Sequence, residues 1–143
     1  MKKNFNKGFS LIELMVVIVI IGLLASIVVV NVFPSQDRAM IEKAKTDIAL
    51  LEQAVEMYKL DMFTYPKAED GLLSLLKIPR ELSGSVRYRE GGYIKRLPKD
   101  PWGNNYQYKF PGEKSNFDIF SFGADGKLGG EGTNEDIYPF WNI

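Results

Sequence analysis

Near its start the chain contains a long apolar stretch. Residues 14–30 carry no charged side chain, and only Gly22 and Ser26 dilute a run of valine, isoleucine and leucine. Extended over residues 9–33, the stretch would be about 37 Å long as an α-helix, at ~1.5 Å per residue. Because a bilayer core is about 30 Å thick, the pattern predicts a helix that can cross a membrane.

A second helical pattern follows an interruption at Pro34. Between residues 37 and 61, apolar side chains recur at spacings of three and four residues, at Ile41, Ala44, Ile48, Leu51, Val55 and Tyr58. This stripe predicts an amphipathic helix that packs on a folded domain. A coiled coil is the alternative, although the stripe is shorter than four heptads. Pro34 lacks a backbone donor and is expected to kink or loosen the helix.

The remainder of the chain consists of short segments separated by turns. Tyr65-Pro66 ends the long helix, and residues 68–76 predict a short one. Residues 106–110 and 116–122 alternate apolar and polar side chains as half-buried strands do, with Pro111-Gly112 as the turn between them. The predicted fold class is α+β, with a long N-terminal helix packed on a small antiparallel sheet.

Composition narrows the possible functions. The chain has 18 basic and 18 acidic residues, and this zero balance argues against a nucleic-acid-binding surface. It has no histidine and no cysteine, which removes Ser-His-Asp and Cys-His catalysis and the commonest zinc ligand. It also lacks a phosphate-binding loop. We therefore expect a protein that is not an enzyme.

The charges that flank the apolar stretch predict its orientation. Lys2, Lys3 and Lys7 precede the stretch, and no comparable cluster follows until Arg38. The positive-inside rule then keeps the N-terminus in the cytoplasm and exports the remainder. A cleaved secretory signal and a simple membrane anchor are the two plain interpretations, and no Ala-x-Ala pattern supports the first.

Glu13 fits neither plain interpretation. It lies near the start of the apolar stretch, where a carboxylate is costly unless a cation pairs with it. Since the stretch contains no lysine or arginine, the partner must be a terminal amine or a group on another molecule.

The segment Lys7-Gly8-Phe9-Ser10-Leu11-Ile12-Glu13-Leu14 resembles the class III leader of type IV pilins and type II secretion pseudopilins. The resemblance implies that a prepilin peptidase cuts the Gly8–Phe9 bond and that the new terminal Phe9 is N-methylated. Glu13 would then neutralise the α-amino group of Phe9 on a neighbouring subunit. The implied domains are a leader, residues 1–8, a transmembrane and filament-core helix, residues 9–33, and a periplasmic head, residues 34–143.

The C-terminal segment, residues 123–137, is rich in glycine and in oxygen donors. Five glycines allow tight turns, and the acidic and amide side chains suit calcium, which takes six to eight oxygen ligands. The donor spacing is not that of an EF-hand. A flexible, solvated loop is the alternative interpretation.

Further motifs resemble the G-type major pseudopilin family of type II secretion. They are Tyr58-Lys59-Leu60-Asp61, Tyr65-Pro66, Leu97-Pro98-Lys99-Asp100-Pro101-Trp102-Gly103-Asn104 and Gly123-Ala124-Asp125-Gly126. That family binds one calcium ion in its C-terminal loop through two carboxylates and several carbonyls. Here Asp125 matches the first carboxylate and Asp136 is the candidate for the second, with Glu131 and Asn134 as alternatives. Phe122 and Leu128 are candidates for carbonyl ligands from their spacing.

The resemblance implies a structural function. The subunit would be inserted in the bacterial inner membrane and would assemble into a periplasmic filament. Its partners would be minor pseudopilins, an inner-membrane assembly platform and a secretion ATPase. The filament would move folded proteins through the outer membrane. A type IV pilin and a membrane-anchored periplasmic enzyme or binding protein are the alternatives. Trp102 is expected to plug a loop rather than bind a ligand, and pairing of Asp100 with Asp125 for acid–base chemistry is disfavoured.

Overall fold

The computed structural model describes residues 8–85 and 87–139, without the side chains of residues 27–34. One long helix, α1 (Leu11–Met62), precedes a two-stranded antiparallel sheet of β1 (Gln107–Lys109) and β2 (Asp118–Phe120). Three short 3-10 helices complete the assigned elements in this part of the chain: Gly71–Leu75, Arg80–Leu82 and Gly132–Asn134. The α+β prediction is confirmed. The chain divides into two compact units, with the boundary between Asp37 and Arg38.

In the first unit, the helix presents its apolar side chains to the outside. Those of Phe9, Leu11, Ile12 and most residues up to Leu24 are exposed in the isolated chain. None of the helices in the described part combines the length and apolar character needed to cross a membrane. The predicted leader lies outside the described residues except for Gly8, as do the side chains of residues 27–33.

The helix is continuous at the position where the sequence predicts a disturbance. α1 is helical from Leu11 to Met62, so Pro34 does not end it. The side chain of Pro34 itself belongs to the segment whose side chains are outside the described part.

In the second unit, α1 buries one stripe of side chains. Ala44, Ile48 and Val55 are fully buried, and Leu51 and Tyr58 nearly so, while Ile41 packs at the edge of the same core. Burying one such aliphatic side chain stabilises a fold by about 1.5–3 kcal/mol. The predicted amphipathic helix that packs on its own domain is confirmed.

The chain leaves α1 through a residue with a left-handed backbone. Phe63 has φ of 60° and its N–H donates to the Lys59 carbonyl at 2.7 Å, which closes the last turn. Tyr65 and Pro66, which were predicted to end the helix, follow its last residue Met62 and are buried in the core. The short helix predicted at residues 68–76 is present as the 3-10 helix Gly71–Leu75.

The two predicted strands pair as expected, with Tyr108 opposite Ile119. Phe117, Ile119 and Ser121 are buried, so alternate residues of this segment form its inner face. The expected alternation fails at Asp118, which is also buried. Its carboxylate accepts hydrogen bonds from the backbone N–H groups of residues 113–115, at 2.6–3.1 Å, and so holds the loop between the strands.

A hydrogen bond joins α1 to the segment that leads into β1. The Tyr106 hydroxyl donates to Asp47 Oδ2 at 2.9 Å, and the same oxygen accepts from Lys43 Nζ at 2.6 Å. Burial, reinforced by the hydrogen bond to Asp47, raises the pKa of Tyr106 far above its ordinary value. The hydroxyl is therefore a permanent donor at physiological pH.

Adjacent glycines provide a test of close packing beside the 3-10 helix Gly71–Leu75. Gly91 and Gly92 both have positive φ, but a Cβ on Gly92 would lie 2.6 Å from the Leu75 carbonyl oxygen and 2.7 Å from that of Leu76. A Cβ on Gly91 would meet nothing within 4 Å.

Gly92→Ala should therefore lower the free energy of unfolding more than Gly91→Ala does. Backbone strain alone costs about 1 kcal/mol at either position, and the steric conflict at Gly92 should add about 1–3 kcal/mol. Chemical denaturation of the two variants measures the difference. Equal losses would show that the Leu75–Leu76 backbone can move away at no cost.

Candidate functional site

The predicted cleavage site lies in accessible backbone. Residues 8–10 precede the first residue of α1, and a Cβ on Gly8 would meet nothing within 4 Å. The Phe9 side chain is 85 % exposed. A peptidase needs an accessible, non-helical segment, and the Gly8–Phe9 bond has both properties.

Glu13 lies in the first turn of α1 and is exposed in the isolated chain. Its Oε2 accepts a long hydrogen bond, 3.4 Å, from the Ser10 N–H, and the Ser10 carbonyl accepts from the Leu14 N–H at 3.2 Å. This is half of a capping box, in which the side chain of a glutamate at the third helical position accepts from the backbone N–H of the N-cap residue, here Ser10. Glu13 therefore has a local partner, and its burial requires a membrane or another subunit.

The two predicted calcium carboxylates contact the same short stretch of the C-terminal loop. Asp125 Oδ1 accepts from the Lys127 N–H at 3.0 Å, and Asp136 Oδ2 accepts from the Gly129 N–H at 3.1 Å. The two donor residues flank Leu128, whose side chain is 78 % exposed. Each carboxylate keeps one oxygen outside these bonds.

The second oxygen of Asp136 is buried and has no hydrogen-bond partner. A buried carboxylate oxygen without a partner costs free energy, which a cation or a donor bonded to this atom would offset. An oxygen-only donor set with one orphaned carboxylate oxygen fits calcium. Within the described residues no three acidic, histidine or cysteine side chains form a cluster, so carbonyl or amide oxygens would have to complete the coordination.

The remaining predicted ligands belong to the same loop. Phe122 directly precedes the turn that carries Asp125, and its ring packs edge-on against Phe120 at 5.3 Å. Asn134 ends the 3-10 helix Gly132–Asn134, and its N–H donates to the Glu131 carbonyl at 3.2 Å. The alternative ligand Glu131 precedes that helix.

The loop is closed by tight backbone contacts. Residues 133–135 pass between Gly123 and Gly130, and a Cβ on either glycine would collide with backbone atoms of this segment. Gly123 has φ of 67°, and a Cβ there would lie 2.8 Å from the carbonyl oxygens of Thr133 and Glu135. The Ala124 N–H donates to the Thr133 carbonyl at 2.8 Å. These contacts give the loop a defined path, unlike a solvated tail.

The buried Asp100 carboxylate, whose hydrogen bonds support the C-terminal loop, was not predicted from the sequence. Asp100 is 4 % exposed; its Oδ1 accepts from the N–H groups of Trp102 and Asn104, and its Oδ2 accepts from the Ser121 hydroxyl at 2.6 Å. An aspartate two residues before Trp102-Gly103 is a turn signal that could have indicated the first two bonds. The bond to Ser121 spans 21 positions and has no local signal.

This arrangement also explains two residues that had competing interpretations. Trp102 is half-buried against the core, as expected for a plug under its loop. The carboxylate of Asp100 is committed to three hydrogen bonds inside the protein, while Asp125 is exposed. The two do not present a paired acid and base to a substrate.

Comparisons with known proteins agree with these features. Residues 31–139 match the family model "Type II secretion system (T2SS), protein G", and residues 3–29 match the model "Prokaryotic N-terminal methylation motif". The type II secretion system core protein G of Vibrio cholerae is 55 % identical over 99 % of this chain and 96 % of its own length. The core protein G of Pseudomonas aeruginosa is 47 % identical over 96 % of each chain.

A solved structure is similar as well. The crystal structure of the major pseudopilin from the type 2 secretion system of enterohaemorrhagic Escherichia coli matches with a TM-score of 0.67 and 41 % identity. It covers 79 % of this chain and 96 % of that one. With an N-terminal methylation motif followed by a head of this fold, the chain belongs to the type II secretion system protein G family.

Proposed function

We propose that this chain is the major structural subunit of a type II secretion pseudopilus. Prepilin peptidase cuts the Gly8–Phe9 bond, Phe9 is N-methylated, and the mature subunits assemble into a periplasmic filament that drives folded proteins through the outer membrane. The observation that carries the proposal is Glu13, a carboxylate in an exposed apolar helix just after an accessible, non-helical Gly8–Phe9 bond.

Exposed apolar surface on α1 supports a membrane and filament-core location for residues 9–33. A soluble monomer rarely keeps so much contiguous apolar surface in water. In the inner membrane the lysines before Gly8 hold the N-terminus in the cytoplasm, and the head lies in the periplasm. On assembly the same apolar surface packs against α1 of other subunits.

Glu13 sets the register of assembly in this proposal. In a low-dielectric filament core, an unpaired carboxylate is strongly disfavoured, and a pair formed with the Phe9 α-amine of a neighbour removes that penalty. A subunit shifted along the helix axis leaves both charges unpaired. The pair therefore acts mainly by penalising wrong registers.

The proposed partners follow from this function. Other copies of the chain build the filament and minor pseudopilins join it, while prepilin peptidase prepares the subunits. An inner-membrane assembly platform and its ATPase supply the energy. The protein G family model over residues 31–139 favours secretion over the alternative of a type IV pilin.

We further propose that the C-terminal loop binds one calcium ion. Asp125 and Asp136 would hold it with their carboxylates, completed by carbonyls of Phe122 and Leu128 and by Asn134. The orphaned Asp136 oxygen supports a cation in this place. When bound, calcium supplies a cross-link between the ends of the loop, which this chain, lacking cysteine, cannot make with a disulfide.

The cleavage proposal is tested by the mass of the native protein. A chain that begins at methylated Phe9 is expected, because processing must create the α-amine that pairs with Glu13. Intact-mass and N-terminal peptide spectrometry measure this directly. A protein that still begins at Met1 would favour a simple membrane anchor.

Substitutions of Glu13 separate its pairing role from its capping role. Glu13→Ala removes both, whereas Glu13→Gln keeps an acceptor for the Ser10 N–H and removes the charge. Both variants should be inserted and processed, yet form few filaments and secrete poorly, because neither can neutralise an α-amine. Normal assembly of Glu13→Gln would assign the residue to the helix start alone.

Chelation tests the calcium proposal. A ligand present at 100 times its Kd stabilises the folded state by about 2.7 kcal/mol. Moving the full-length protein in detergent from calcium to EGTA should therefore lower its Tm by on the order of 10 °C. Asp125→Ala should lose this response, and Glu135→Ala, a nearby acid outside the predicted ligand set, should keep it. If the wild-type Tm does not change on chelation, the loop holds no calcium.

A further inference from the structure

Asn104 connects the buried Asp100 carboxylate to the turn that carries Asp125. Its N–H donates to Asp100 Oδ1 at 2.7 Å, and its side-chain Nδ2 donates to the Gly123 carbonyl at 3.2 Å. A Cβ added to Gly126 would lie 3.3 Å from Asn104 Oδ1, so the same side chain also lies against the far end of the turn.

The backbone N–H of Gly123 belongs to the same hydrogen-bond network. The Ser121 hydroxyl donates to Asp100 Oδ2 at 2.6 Å and accepts from the Gly123 N–H at 3.1 Å. The carbonyl and the N–H of Gly123 therefore bond to the side chains of Asn104 and Ser121. Both of these residues are in turn hydrogen-bonded to the Asp100 carboxylate. Since Ser121 and Asp100 are 0 % and 4 % exposed, water competes poorly for these bonds.

The network also reaches the second predicted carboxylate. Ser121 and Ile137 pair through two backbone hydrogen bonds, of 3.0 and 2.8 Å. Ile137 is buried and follows Asp136 directly, so the pairing places Asp136 relative to Gly123. One buried cluster thus positions both ends of the loop through bonds between protein groups.

We propose that Asn104, together with Asp100 and Ser121, positions the calcium loop before the ion binds. The inference rests on the proposed calcium site. In it, these three residues orient the calcium ligands without contacting the metal themselves. Loss of an outer-shell partner typically weakens metal binding about 10–100-fold, because ordering of the ligands must then be achieved on binding.

The test compares two variants of the full-length protein in detergent by calorimetric titration with CaCl2. Asn104→Leu keeps a side chain of similar size and removes the donor to Gly123, and its calcium Kd should rise by about tenfold or more. Tyr88→Phe is the matched control, because it removes one hydrogen bond, to the Ser74 carbonyl at 2.8 Å, from another part of the head. Its calcium Kd should equal that of the wild type.

The Tm in EGTA separates positioning from a general loss of stability. Both variants should have a lower Tm in EGTA than the wild type, but only Asn104→Leu should also show a smaller increase on adding calcium. If the wild type binds calcium and Asn104→Leu binds it with the same Kd, the positioning role is overturned and the calcium site is left intact. Wild-type protein that binds no calcium would overturn the calcium site itself.

A measurement on the unaltered protein keeps the inference testable if Asn104→Leu fails to fold. In EGTA the Gly123 amide should exchange slowly with deuterated solvent, because its bond to Ser121 forms without the ion. Amide exchange followed by NMR measures this rate. Fast exchange in EGTA that becomes slow on adding calcium would show that the ion, and not Asp100 and its partners, orders the turn.

Discussion

Burial of one stripe of α1 is the interaction on which the head depends. Ala44, Ile48 and Val55 have no exposed surface, and the aromatic side chains of the sheet and loops pack against them. The sheet itself has only two strands of three residues each, which could not form a stable core alone. The helix therefore serves as the main packing surface of the head.

Buried carboxylates replace regular structure over the remainder of the head. Asp100 and Asp118 are each 4 % exposed and together accept hydrogen bonds from loop N–H groups that no strand pairs. Such bonds to a charged acceptor are about twice as strong as neutral ones. They explain how a chain without disulfides keeps long non-repetitive segments on a defined path. The C-terminal loop proposed to bind calcium is joined to the first of these carboxylates through Asn104 and Ser121.

The proposed function divides between the two ends of the chain. The N-terminal unit contains the accessible Gly8–Phe9 bond and Glu13, to which the proposal assigns processing and assembly. In the proposed function, the C-terminal loop would contribute stability to the head through a bound calcium ion. Because such a cross-link is reversible, the stability of the head would then follow the calcium concentration around it.

Local patterns in the sequence were sufficient to predict the main elements and the family. Helical spacing predicted the buried stripe from Ile41 to Tyr58, alternation predicted the two strands, and the leader motif with Glu13 indicated the family, since each signal lies within a few consecutive residues. Burial of Asp118 was not predicted, because a strand pattern carries no information on which loop a carboxylate will hold. The bonds that join Asp100 to Ser121 and Asn104 to Gly123 were determined only by the tertiary structure. They join positions 21 and 19 residues apart, and such contacts exist only after the core has brought those segments together.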